Sequence, residues 1–256
     1  MELERMVLTI IYLYIFVIGC LIGSFLNVIV YRLPIGREFV KTRSACPQCG
    51  TQIKAYDLIP VLSYIILGGK CRHCKKSVAL RYPLVELFMG ILCVGTVWIK
   101  GFAMLSLCLC IYAALLVVIG LIDWDTMLIL DKLVICVLVM SIPFFMIPSS
   151  IQWWERIIGF FVISVPLLLC TLCINGAFGG GDIKLMAVSG LILGIQNSIV
   201  AFLIAILTGG GYAMYLLFIR RVGKKQHMPF GPFLCVGCYV AALWGEELIR
   251  WYVQFL

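Results

Sequence analysis

The chain has 256 residues, of which 63% are hydrophobic and only 12% charged, and its net charge is +8. A soluble domain carries about 25% charged residues, so a water-soluble enzyme is excluded. A nucleic-acid partner does not follow from the positive balance, because the basic residues concentrate between apolar runs, as membrane topology alone requires.

Several of those runs approach the roughly 20 apolar residues that cross a bilayer. Backbone groups in lipid must be satisfied within their own segment, which selects helices, and the short alternating strands of a barrel are missing from the pattern. The sequence therefore predicts an all-α polytopic membrane protein of about eight transmembrane helices. They are expected near 7–31, 83–99, 103–122, 133–148, 157–175, 183–195, 198–219 and 232–249. The first run, from Val7 to Tyr31, is too long for a signal-peptide core and no small-residue cleavage site follows it, so it reads as an uncleaved span. The largest polar insertion, 32–82, holds no run long enough to cross. Three regions result: a first helix (1–31), a loop (32–82) and a membrane core (83–256).

Charge sets the orientation. With eight spans, loops 32–82, 123–132, 176–184 and 220–231 share one side and carry sixteen of the twenty basic residues. That side is cytoplasmic by the positive-inside rule, and both termini lie outside. Within it, Arg220, Arg221, Lys224 and Lys225 read as a topology and anionic-lipid signal. Trp153-Trp154 and Trp251-Tyr252 read as interface aromatics at outer span ends.

Nine of the thirteen cysteines lie in apolar runs, where free cysteine behaves as a small hydrophobe. The other four form Cys46-Pro47-Gln48-Cys49 and Cys71-Arg72-His73-Cys74, with 21 residues between the pairs. Two such pairs supply four thiolates for a closed tetrahedral zinc site with no position left for a reacting water. A cytoplasmic loop disfavours disulfides. The expected zinc is therefore structural, folding a loop too polar to build its own core, and His73 is a bystander.

The remaining chemistry is carboxylate. Gly179-Gly180-Gly181-Asp182-Ile183-Lys184 sets an acid at the edge of a span, where such groups usually face a cavity or a partner. Its three glycines permit unusual backbone angles and close approach. A second acidic cluster, Asp123-Trp124-Asp125 with Asp131 nearby, falls on the same side. Two neighbouring carboxylates resist ionising together, so one can polarise a peptide carbonyl while the other activates water. No rival hydrolytic site is visible, since the only histidines are His73 and His227 and no HExxH motif occurs. If the third span continues as helix, Asp123 and Asp125 point about 200° apart, and only one can meet Asp182. The pattern itself leaves open which one does, and whether these acids instead cap helices or pair with Lys132 and Lys184.

Gly179-Gly180-Gly181-Asp182-Ile183-Lys184-Leu185 resembles the GxGD signature of the type IV prepilin peptidases, a family of membrane aspartyl proteases. Gly23-Ser24-Phe25-Leu26-Asn27-Val28 through Arg32-Leu33-Pro34, the two cysteine pairs, Arg81-Tyr82-Pro83-Leu84-Val85-Glu86 and Pro229-Phe230-Gly231-Pro232-Phe233 resemble further motifs of that family. The resemblance implies Asp123 and Asp182 as the catalytic dyad, with Gly179, Gly181 and Lys184 supporting the backbone or substrate. Asp125 becomes a solvated neighbour. Leu130 stands where the family usually has proline.

The resemblance also implies the reaction: removal of the basic leader of type IV prepilins or pseudopilins at the cytoplasmic face of a bacterial inner membrane. Methylation of the new N-terminus by S-adenosylmethionine follows in many members, with Asn27, Arg32 and Glu86 as associated residues. Expected partners are the prepilin, the bilayer and components of a pilus or type II secretion assembly. Two other classes compete. A proton- or cation-coupled transporter would set its acids nearer the bilayer midplane, within inverted repeats. A zinc-loop scaffold would be indifferent to changes at the aspartates.

Overall fold

The computed structural model describes residues 2–38, 44–46, 48–148, 150–174, 176, 178–218 and 228–255. His227 and the basic run from Arg220 to Lys225 lie outside the described residues. The chain forms two compact units, residues 1–103 and 104–256.

In the first unit α1 (Glu2–Arg32) packs along α3 (Arg81–Lys100), and the loop between them carries the short α2 (Leu62–Ile66). Lipid offers no hydrophobic drive for two apolar helices to associate, so close backbone packing must supply it. Gly19 and Gly23, four apart on one face of α1, provide that closeness. A Cβ on Gly19 would lie 2.7 Å from Gly90 Cα, and one on Gly23 2.8 Å from Glu86 Cα. One turn further on, Asn27 Nδ2 donates to the Tyr82 carbonyl at 3.1 Å, so the helices run antiparallel.

The second unit contains α4 (Met104–Thr126), α5 (Asp131–Met146), α6 (Trp153–Val162), α7 (Ser164–Cys173), α8 (Gly180–Phe218) and α9 (Gly231–Val253). Helices α6 and α7 are one crossing bent at Ile163. Pro166 causes the bend, because its ring clashes with the carbonyl four residues back and it donates no hydrogen bond.

The 39 residues of α8 would reach about 58 Å if straight, nearly twice the hydrocarbon core. They double back instead. Gly194, at φ 73° and ψ −174°, is not helical. Before it, Met186 Sδ lies 3.9 Å from Cys238 Sγ. After it, Asn197 packs on Gly245, Ala201 and Ala205 on Gly237, and Gly209 on Phe230 and Phe233. Contacts thus advance along α9 and then return, so the chain reverses at Gly194. Arg156, 2% exposed, secures the reversal: its Nη1 donates to the carbonyls of Leu191 (3.2 Å) and Ile192 (2.7 Å), which a straight helix would satisfy itself.

Six helices among the described residues are long and apolar enough to cross a bilayer. The 16-residue α5 falls just short by length, and the doubled α8 supplies two passes, which accounts for the eight expected segments. Three boundaries differ from expectation. The break between the sixth and seventh segments falls at Gly194 rather than at the polar pair Gln196-Asn197. Helix α4 runs on through Asp123 and Asp125 to Thr126, and α8 begins at Gly180, so both acidic clusters sit on helix termini rather than in loops. Trp153, Trp154, Trp251 and Tyr252 are exposed at the end of this unit opposite the aspartates, as an interface belt requires.

Packing in this unit also relies on glycine. A Cβ on Gly159 would stand 2.5 Å from the Gly190 carbonyl oxygen and 2.8 Å from Gly194 C. Gly159→Ala therefore pries α6 from α8 and should lower stability by at least about 2 kcal/mol. Thermal unfolding in detergent measures this, with Gly95→Ala, which meets nothing within 4 Å, as the control that stays within about 1 kcal/mol of the parent.

Candidate active site and metal centre

Asp123 lies in the last turn of α4 and Asp182 in the first turn of α8. Both are buried, at 5% and 8% exposure. Helices α4 and α8 each pack against α9. A carboxylate at a helix C-terminus is poorly placed against the helix dipole. Asp123 is compensated from outside: its Oδ2 accepts the Gly231 N–H at 2.9 Å, one of the amide groups that the start of α9 leaves unpaired. Asp123 thus caps α9 across space, while Asp125, two residues on, is exposed.

Gly231 received no role from the sequence, although its Pro-Phe-Gly-Pro-Phe motif was the available signal. A Cβ there would sit 2.7 Å from Asp123 Oδ2, so only glycine lets α9 present its amide. The glycines before Asp182 serve the same need for space, which corrects the expectation of unusual backbone angles: none of the three adopts positive φ. A Cβ on Gly181 would meet Ile129 Cβ at 2.7 Å, and one on Gly179 would meet Asp182 Oδ2 at 3.1 Å, whereas Gly180 faces open space. The Gly179 carbonyl accepts the amides of Asp182 (3.1 Å) and Ile183 (3.3 Å) and so starts the helix. Lys184 pairs with Asp131 at 2.7 Å on the exposed surface, the ion-pair role weighed above for this lysine. Aromatic side chains frame the site: Phe178 beside Phe230 at 5.8 Å, Tyr212 beside Phe233 at 5.5 Å, and Trp124 beside Tyr212 at 5.7 Å.

The turn from α4 to α5 needs no proline to hold its shape. Leu130 has φ −73° and ψ 128°, within the range a proline ring imposes, and its N–H donates to no backbone carbonyl among the described residues. Leu130→Pro should raise stability by about 0.4–1 kcal/mol by narrowing the unfolded ensemble. A rise in the thermal midpoint, with leader-cleaving activity retained, is the expected measurement.

In the first unit the two cysteine pairs fold as near copies. Cys46 N–H donates to the Thr51 carbonyl and Gly50 N–H to that of Cys46; Cys71 and Lys75 repeat both bonds with Lys76 and Cys71. Gly50 (φ 71°) and Lys75 (φ 58°) hold the same left-handed position in each turn. All four sulfurs lie within 4.8 Å of one another, and Cys46 Sγ and Cys74 Sγ are 3.9 Å apart. A tetrahedral zinc with 2.3 Å bonds needs a spacing of about 3.8 Å. Hydrogen bonding with the Thr51 hydroxyl, at 3.4 Å, and with its backbone holds the Cys49 thiol down at about 6. Despite a bond from the Lys76 N–H, desolvation and hydrogen bonding with the other three thiols push Cys74 up to about 11. The four sulfurs can hold a metal ion; His73 is not one of the group.

Asn27, Arg32 and Glu86 line one cavity of about 710 Å³ in this unit, together with Ser24, Val61 and Lys54. That size suits a small-molecule site. Glu86 Oε2 accepts the Val61 N–H at 2.8 Å.

The profile of the Bacterial Peptidase A24 N-terminal domain matches residues 17–100, and that of the Type IV leader peptidase family matches residues 110–214. A Prepilin leader peptidase/N-methyltransferase of Stutzerimonas stutzeri is 33% identical, covering 93% of this chain and 92% of its own. The protein of that name from Pseudomonas aeruginosa is also 33% identical, over 93% and 92%, and the one from Bacillus subtilis is 29% identical, over 93% and 96%. No solved structure matches the chain.

Proposed function

The chain belongs to the type IV leader peptidase family, and from that premise we propose that it is a membrane aspartyl endopeptidase. It removes the leader of type IV prepilins or pseudopilins at the cytoplasmic face of a bacterial inner membrane and then N-methylates the new terminus. The observation that carries this reading is the pair Asp123 and Asp182, 59 positions apart in sequence and both buried, one at the end of α4 and the other at the start of α8 in the same compact unit.

The two carboxyls act on a water held between them and the scissile bond. One donates its proton to the carbonyl oxygen and the other takes a proton from the attacking water; that second proton passes to the leaving amine as the C–N bond breaks, and the first carboxylate recovers its proton from the diol hydroxyl that becomes the new carbonyl. Burial excludes bulk water, and the Gly231 amide fixes the Asp123 carboxylate in place. Gly179 and Gly181 support this arrangement by admitting close packing. The cytoplasmic position of the site, with both termini outside, rests on the distribution of basic residues. A transporter is disfavoured because the acids stand at helix ends rather than at mid-helix breaks.

Cys46, Cys49, Cys71 and Cys74 hold a structural zinc. S-adenosylmethionine fits the cavity of Asn27, Arg32 and Glu86 by volume, with Arg32 suited to its carboxylate. When bound it supplies an electrophilic methyl group.

Co-expression with a candidate prepilin in a host lacking its own leader peptidase tests the reading. The pilin should emerge without its leader and with one added methyl, by mass. Retention of the full leader with this chain present would refute the peptidase, and a leaderless but unmethylated pilin would refute the transferase.

A further inference from the structure

Methylating an amino terminus at neutral pH requires more than a methyl donor. The terminus arrives as an ammonium, whose lone pair is blocked until a proton leaves. The cavity that the preceding reading gives to methyl transfer is a hostile place for a cation, since Arg32, Arg37, Lys54, Lys70, Arg72 and Lys76 all line it. Two carboxylates offset them, Asp57 and Glu86. Asp57 is already committed. Arg72 Nε donates to its Oδ1 (3.2 Å) and Oδ2 (2.9 Å), and Arg72 Nη2 donates to Oδ1 at 2.6 Å. This fork holds the Asp57 carboxyl below its usual range.

Glu86 is different. Its Oε2 accepts one amide, that of Val61, and Oε1 accepts no hydrogen bond among the described residues. Its position is fixed from two sides. Its Cα is clamped against Gly23 of α1. The amide it accepts belongs to a strained residue: Val61 sits at φ 62° and ψ −51°, a region that β-branched side chains rarely enter. Such strain persists where surrounding structure over-determines it and concentrates at functional sites. Half-buried, pinned at one oxygen and open at the other, Glu86 has the form of a ligand-holding carboxylate.

We propose that Glu86 receives the amino terminus freed by cleavage, pairs with its ammonium and takes its proton. The freed nitrogen lone pair forms the N–CH3 bond as the methyl–sulfur bond of the donor breaks, and the sulfur keeps that bonding pair as a neutral thioether. The proton on Glu86 leaves to water. This assignment rests on the methyl-transfer reading above.

The test uses the full-length protein in detergent and Glu86→Gln, whose amide oxygen can still accept the Val61 N–H. Bound zinc per chain reports that the loop is folded. The probe is a synthetic peptide of a leaderless pilin N-terminus, compared with its N-acetylated form by calorimetry. The parent should bind the free-amine peptide about tenfold more tightly than the acetylated one, and Glu86→Gln should erase that preference. Methylation of the free peptide should fall at least about 100-fold in Glu86→Gln. An unchanged preference for the free amine in Glu86→Gln overturns the proposal, as does methylation at the parental rate. If the parent neither binds S-adenosylmethionine nor methylates, the transferase reading falls; the peptide preference still decides the role of Glu86.

Discussion

Asp123→Asn and Asp182→Asn should each slow leader removal at least about 100-fold, the contribution of a positioned acid or base, while Asp125→Asn stays within a few-fold of the parent. The contrast follows from neighbours two residues apart on one helix: Asp123 is buried and tied to the start of α9, and Asp125 is exposed. Asparagine is the informative replacement, because its side-chain oxygen can still accept the Gly231 amide and keep α9 capped. Loss of activity then reports lost proton chemistry rather than a displaced helix. Cleavage of a prepilin peptide by equal amounts of each purified variant measures it. A silent Asp123→Asn beside an inactive Asp125→Asn would reverse the assignment.

Cys46→Ser combined with Cys49→Ser should reduce bound zinc from about one per chain to near zero and unfold residues 44–78. A structural zinc supplies about 10–16 kcal/mol, and no other term in this loop approaches it. Among the described residues of that stretch only Cys46 and Ser63 are buried, and the two-residue bridges Ala45–Gln52 and Lys70–Ser77 are the only strand pairing. The expected readout is rapid proteolysis of the loop alongside loss of metal. Methyl transfer is lost with it, because loop residues such as Lys54 and Val61 line the cavity that contains Glu86. Leader removal should persist, since Asp123 and Asp182 belong to the other compact unit. Full zinc retention in the double variant would contradict the metal assignment.

The parts of this structure most legible in the sequence are those for which lipid leaves few alternatives. Long apolar runs must be helices, and paired cysteines outside them must serve another purpose. The pattern could not show what depends on atoms meeting across helices. Gly194 sits between leucine and isoleucine with no polar loop to betray a reversal, so the break was expected at Gln196-Asn197. The glycines before Asp182 suggested both backbone freedom and close approach; none of the three adopts positive φ, and the close approach is found at Gly181, where Ile129 occupies the space a Cβ would need. Gly231 is the clearest omission, since only the folded chain brings its amide to Asp123, 108 positions away. Leu130 stands where the family usually has proline, and its backbone already holds a proline-like φ of −73°.

The central claim is that Asp123 and Asp182 work as one unit, and a double-mutant cycle on leader cleavage addresses it most directly. Groups that share one chemical step are strongly non-additive, because removing the second costs little once the first is gone. The double variant Asp123→Asn/Asp182→Asn should therefore cleave no more slowly than the slower single variant, within about threefold. Losses that multiply across the two positions would show two independent contributions and contradict the paired carboxylates on which the account depends.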